Sequence, residues 1–110
     1  MSAVSTHVLD TAAGRPAAGI TVRLQSVAAG GSTDVGSAVT DADGRAADLG
    51  PAELASGTYR LVFDTAGYHQ ATAGQAFFPE VIVTFTVSGA QHYHVPLLLS
   101  PFGYSTYRGS

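Results

Sequence analysis

The chain has 110 residues, 45% hydrophobic and 12% charged, with a formal net charge of −3 and no cysteine. That balance describes one globular domain over 1–110 rather than a disordered segment, and it excludes a disulfide framework and thiolate metal ligation. The basic residues are five arginines without a basic cluster, which leaves no electrostatic footprint for nucleic acid. No apolar run reaches the length of a membrane span, and residues 1–20 lack the basic start and apolar block of a signal peptide, so the expected location is the cytoplasm.

Taken in chain order, period-two alternation dominates. A first strand is predicted over 4–9, followed by the turn-rich "TAAGRPAAG" at 11–19. Over 20–27, Ile20, Val22 and Leu24 alternate with Thr21, Arg23 and Gln25. "AAGGSTD" at 28–34 leads into a strand over 34–40, and "DADG" at 41–44 reads as a tight turn. Pro51 after Gly50 starts one helical turn through Leu54, because proline suits the first helical position. Strand 57–64 has Tyr59, Leu61 and Phe63 on one face, and "AGYHQATAGQ" at 66–75 is a second short helical candidate. Strands over 80–87, 92–99 and 102–108 complete the chain. Seven short strands at this spacing predict an all-β, two-sheet antiparallel sandwich.

The strand at 92–99 departs from the pattern. Tyr93, Val95, Leu97 and Leu99 share one face, while Pro96 and Leu98 put apolar groups on the other. Pro96 also lacks a ladder donor, which predicts an edge or a bulge. An exposed apolar edge invites aggregation, so partner subunits are expected to cover it; burial under a local loop is the simpler alternative.

The chemistry lies in the histidines and arginines. His92 and His94, two apart on a strand, point to one face with Cα atoms roughly 7 Å apart. His7 sits on the first strand in "STHVLD". Imidazole suits proton transfer near neutral pH. For any single histidine the plainer reading is a hydrogen-bonded structural role, and His69 and His92 are placed there. A His-x-His pair with a third histidine could hold zinc, but "HYH" alone does not specify a site. "DADG" fails as a calcium loop, because aligning Gly44 with the loop glycine puts Val39 and Gly50 at the two end ligand positions. Read as a turn, it presents Arg45.

The last residues, "YSTYRGS", carry an aromatic, a guanidinium and a hydroxyl on a strand-like run. With "THVLDTAAGRPAAG", "DADGR" at 41–45 and "HYHVPLLLSPFGYSTYRGS", the chain closely resembles the transthyretin-like 5-hydroxyisourate hydrolases over essentially its whole length. The terminal Tyr-Arg-Gly-Ser is that family's signature. The related transthyretins, which carry thyroid hormone, lack this ending and lack histidine at the position of His94.

The resemblance implies a two-sheet sandwich with one short helix, assembled as a homotetramer whose sites lie where two dimers meet. It implies hydrolytic opening of 5-hydroxyisourate to 2-oxo-4-hydroxy-4-carboxy-5-ureidoimidazoline in urate degradation. No metal and no cofactor are expected, because no Asp, Glu or Cys ligand stands in a matching motif and Arg45 can do a metal's electrostatic work. The family's functional positions fall on His7, Arg45, His94 and Tyr107 to Ser110. Of these, His7, Arg45, His94 and Ser110 are the expected catalytic groups, with His7, Arg45, Tyr107, Arg108 and Gly109 binding substrate. One of His7 and His94 takes a proton from water and the other returns one. Arg45 stabilises an oxyanion, Tyr107 contacts the ring, and Ser110 or its carboxylate positions water. A small-ligand carrier, a zinc hydrolase and a structural sandwich module remain as competing readings.

Overall fold

A computed structural model of the chain describes residues 2–72 and 76–109. Among them run β1 (Val4–Asp10), β2 (Arg15–Pro16), β3 (Thr21–Ala28), β4 (Gly31–Val39), β5 (Arg45–Ala46), β6 (Gly57–Phe63), α1 (Thr65–Thr72), β7 (Val81–Val87), β8 (Tyr93–His94), β9 (Leu97–Ser100) and β10 (Gly103–Thr106). One sheet has the order β4-β3-β6-β7 and is antiparallel throughout. The other runs β10-β9-β1-β2, with β5 and β8 also paired to β1.

The two-sheet sandwich with one short helix is therefore present, and alternation explains which side chains fill it. Val22, Leu24, Leu61, Phe63 and Val81 come from one sheet. Val4, Val8, Tyr93, Val95, Leu97 and Leu99 come from the other, and all pack into one buried cluster. Each fully buried aliphatic or phenyl side chain contributes on the order of 1.5–3 kcal/mol. The second sheet is mixed rather than antiparallel: β1 runs antiparallel to β2 and β5 but parallel to β8 and β9. Alternation places a residue on a face and carries no information about the direction of its neighbour.

Two further expectations are corrected. The 92–99 strand is not an edge: β9 lies between β1 and β10, and the run is interrupted at Val95–Pro96, where proline supplies no donor. There the free carbonyls are taken up by side chains, Thr6 Oγ1 donating to Val95 O at 2.6 Å and Thr106 Oγ1 to Pro96 O at 2.7 Å. Leu98, on the second face, is half-buried within one chain. No helical turn forms over 51–54, because the Pro51 carbonyl accepts Ala3 N–H at 2.9 Å and is held by a distant strand start. The helix that does form spans Thr65–Thr72; the rest of the 66–75 candidate falls on 73–75, outside the described residues. It is tied down by Tyr68, whose hydroxyl donates to Asp10 Oδ2, and by Thr65 Oγ1 donating to Phe78 O at 2.6 Å. Burial pushes Asp10 up, but the bonds from Tyr68 and the Ala13 and Ala12 amides outweigh it and hold the carboxyl below the ordinary carboxylate range. The same contact, after burial, lifts Tyr68 to about 12.

Candidate active site

Strand parity assembles the polar groups. Ser5 and His7, two apart on β1, leave by the face opposite Val4 and Val8. Arg45 stands directly across from His7 in the antiparallel register, and His94 directly across from Ser5 in the parallel one. His92, two residues before His94, shares that side. The result is a cluster of three imidazoles, a guanidinium and a hydroxyl on the outer face of the sheet, away from the core. Ser5, Thr6, Arg45, Ala47, His92 and His94 line a hollow of about 260 Å³ there.

Arg45 is delivered by the "DADG" turn. Asp41 Oδ1 accepts the amides of Asp43 at 2.9 Å and Arg45 at 3.0 Å, and Gly44 N–H closes the turn on Asp41 O at 2.9 Å. Gly44 has φ 75°, and a Cβ there would stand 2.4 Å from Val8 O. Only glycine satisfies both constraints, so the turn that aims Arg45 depends on it.

The hydrogen bonds fix the imidazoles. His7 Nε2 lies 2.8 Å from Asp43 O. A carbonyl only accepts, so Nε2 carries the proton and neutral His7 keeps its lone pair on Nδ1. Ser5 Oγ stands 2.8 Å from His94 Nδ1 and 2.9 Å from His92 Nε2. Gly109 closes the other side of His94: its amide donates to His94 O at 2.8 Å, and a Cβ on it would meet His94 Cδ2 at 2.6 Å. Burial, then the neighbouring His7, His92 and Arg45, hold His94 below the ordinary histidine value of 6.5. A group so placed is neutral at pH 7 and able to accept a proton.

Within one chain His7, Arg45, His94 and Gly109 of the expected set thus come together. Tyr107 and Arg108 do not join them. They line a separate hollow of about 310 Å³ with Val83, Phe85, Tyr93 and Val95. There Arg108 stacks 5.1 Å above the Tyr93 ring, and its Nη2 donates to Gln91 Oε1 at 3.0 Å. Ser110 lies outside the described residues. His92, read from the sequence as structural, lines the histidine hollow. Ser5 was missed; its two-residue offset from His7 was the available signal. His69 is buried on α1, and among the described residues its Nε2 has no hydrogen-bond partner, unlike the satisfied histidine expected there. Among the described residues no three histidine, aspartate or glutamate side chains stand close enough to share a metal ion.

The family model that matches this chain, over residues 4–109, is described as the HIUase/Transthyretin family. The chain belongs to that family. A 5-hydroxyisourate hydrolase of Salmonella dublin is 46% identical over an alignment of 109 positions that covers 97% of this chain and 80% of the relative. Among solved structures, the Klebsiella pneumoniae 5-hydroxyisourate hydrolase aligns with a TM-score of 0.84 at 38% identity, covering 97% of this chain and 98% of that one. Sea bream transthyretin in complex with thyroxine gives 0.89 at 32% identity, covering 96% and 93%. The backbone is thus as close to a thyroxine-bound transthyretin as to a hydrolase, so the fold alone does not separate the two.

Proposed function

We propose that this chain hydrolyses 5-hydroxyisourate, opening its six-membered ring to give 2-oxo-4-hydroxy-4-carboxy-5-ureidoimidazoline, without a metal or other cofactor. The observation that carries the reading is the convergence of His7, Arg45 and His94 on one sheet face with Ser5 and His92. A carrier for an apolar hormone gains nothing from three imidazoles and a guanidinium in its channel, whereas acyl chemistry on a planar, carbonyl-rich ring uses each of them.

His94, kept neutral by burial and by its cationic neighbours, takes the proton from the attacking water. As the water oxygen bonds to a ring carbonyl carbon, negative charge grows on the carbonyl oxygen, and Arg45 meets it with fixed N–H donors. The ring C–N bond then breaks, and the departing nitrogen takes the proton that His94 removed from water, while neutral His7, oriented by the Asp43 carbonyl, offers its bare Nδ1 as an acceptor to the substrate. Gly109 rests against His94; Tyr107 and Arg108, which within one chain line a separate hollow, serve as substrate-binding groups once chains assemble, and Ser110 positions water. Four chains assemble so that this outer face is closed off, excluding bulk water and strengthening each polar contact.

The test of the reaction is carbon NMR of labelled substrate incubated with protein, before and after dialysis against a chelator. The reading predicts transient accumulation of the ureidoimidazoline carboxylate, unchanged by chelation. Stoichiometric bound zinc, with loss of activity on its removal, would instead favour a zinc hydrolase.

A further inference from the structure

Ser5 is buried, at 9% relative exposure, and its hydroxyl serves two imidazoles, His94 Nδ1 at 2.8 Å and His92 Nε2 at 2.9 Å. A hydroxyl has one proton to donate, so with both rings neutral and the Ser5 proton shared between them the chain runs one way or the other. In one direction His94 Nδ1–H donates to Ser5 Oγ, and Ser5 O–H donates to His92 Nε2. His94 Nε2 is then bare and faces the site as a base. In the other direction His92 Nε2–H donates to Ser5 and Ser5 donates to His94 Nδ1, so His94 Nε2 carries the proton and is an acid. We propose that Ser5 and His92 are positioning residues that form, with His94, a hydroxyl-bridged proton path that switches His94 between these two forms.

The proposal rests on His94 being the group that exchanges a proton with water in the reaction above. His94 Nε2 takes a proton from water; its Nδ1 proton passes to Ser5 Oγ as the Ser5 proton passes to His92 Nε2. His92, exposed to solvent, then releases its Nδ1 proton to water. The chain ends in the acid form of His94 with no net charge left on the half-buried ring. The groups facing His94 make this direction favourable: His7 on β1, Arg45 on β5 and His92 on the segment leading into β8 would each repel a charge held on it.

The geometry holds the path in register. Ser5 and His94 are direct partners in the parallel ladder, and Val95 N–H donates to Ser5 O at 2.9 Å. Gly109 occupies the Cδ2 edge of the His94 ring. With Nδ1 bound to Ser5, Nε2 is the nitrogen left for substrate, and it has no hydrogen-bond partner among the described residues.

Two measurements on Ser5→Ala, Ser5→Thr and His92→Gln test it. The first is two-bond proton–nitrogen NMR of the imidazoles in the free protein, which reads tautomers without any turnover. Wild-type and Ser5→Thr protein should show His94 nitrogens averaged between the two forms, while Ser5→Ala and His92→Gln should each show one fixed form. The second is steady-state kinetics, where Ser5→Ala and His92→Gln should lower kcat roughly tenfold or more with KM little changed, and Ser5→Thr should retain it. His94 nitrogen shifts in folded Ser5→Ala or His92→Gln identical to wild type would overturn the path. If the tautomers respond as expected but the wild type does not turn over 5-hydroxyisourate, the path stands and the catalytic reading fails.

Discussion

Replacing Gly109 by alanine adds one methyl group where the chain end rests on His94. Non-bonded carbons settle about 3.5–4.0 Å apart. The new Cβ would lie 2.6 Å from Cδ2, 3.2 Å from Cγ and 3.3 Å from Cβ of His94, so roughly 1 Å must be found. Gly109 is not among the positive-φ glycines, so backbone strain plays no part and the clash alone is tested. If the ring tilts, the 2.8 Å bond to Ser5 lengthens and Nε2 leaves its place. A displacement of about 1 Å at a reacting group lowers turnover by on the order of 100-fold. If the tail lifts instead, the Gly109–His94 backbone bond goes, a loss of about 0.5–1.5 kcal/mol, and the Cδ2 edge of the His94 ring loses its cover. Both routes leave the sandwich core untouched. Gly109→Ala should therefore unfold within a few degrees of wild type by circular dichroism while kcat falls roughly 100-fold. Wild-type kcat with unshifted His94 resonances would refute the claim that the tail acts through this contact.

His7→Ala and His94→Ala should each lower kcat by about 100-fold or more in the same assay, whereas His69→Ala, buried on α1 away from the cluster, should spare turnover. Because the folded pKa of His94 lies below its unfolded value of 6.5, its stabilising contribution is complete above 6.5 and is lost as pH falls through the folded value. The acid limb of the kcat/KM profile should accordingly have its midpoint below pH 6.5, and Arg45→Gln, removing one repelling charge, should move that limb upward alongside its loss of rate. Light scattering should report about 45 kDa, four times the 11.2 kDa chain. Leu98→Glu should split that assembly without unfolding the half-buried strand face; a monodisperse, fully active wild-type monomer would contradict the shared site.

What the sequence made legible is what period two encodes. Each of the seven predicted strands overlaps an observed one, and the faces of His7, His92 and His94 follow from counting by twos. Arg45 was legible through turn chemistry, since Asp41 and Gly44 dictate a local shape. The misses involve partners far along the chain. The Pro51 turn is overridden by a bond to Ala3, 48 positions earlier. Ser5 gains its importance only from residues 87 and 89 positions away. The parallel pairing of β1 with β8 and β9 leaves no local signature. Arg108 was expected beside the histidines on the strength of a motif. Within one chain the Tyr93 ring and the Gln91 amide offer its guanidinium nearer partners.

The most direct measurement is the ultraviolet decay of freshly generated 5-hydroxyisourate, which also breaks down unaided, followed with and without catalytic amounts of the protein. Substrate loss should accelerate in proportion to protein concentration, and the His7→Ala and His94→Ala proteins should bring the rate back close to the spontaneous one. A wild-type protein, folded and assembled, that leaves the decay at its spontaneous rate would contradict the hydrolase assignment and return the outer-face cluster to a binding role.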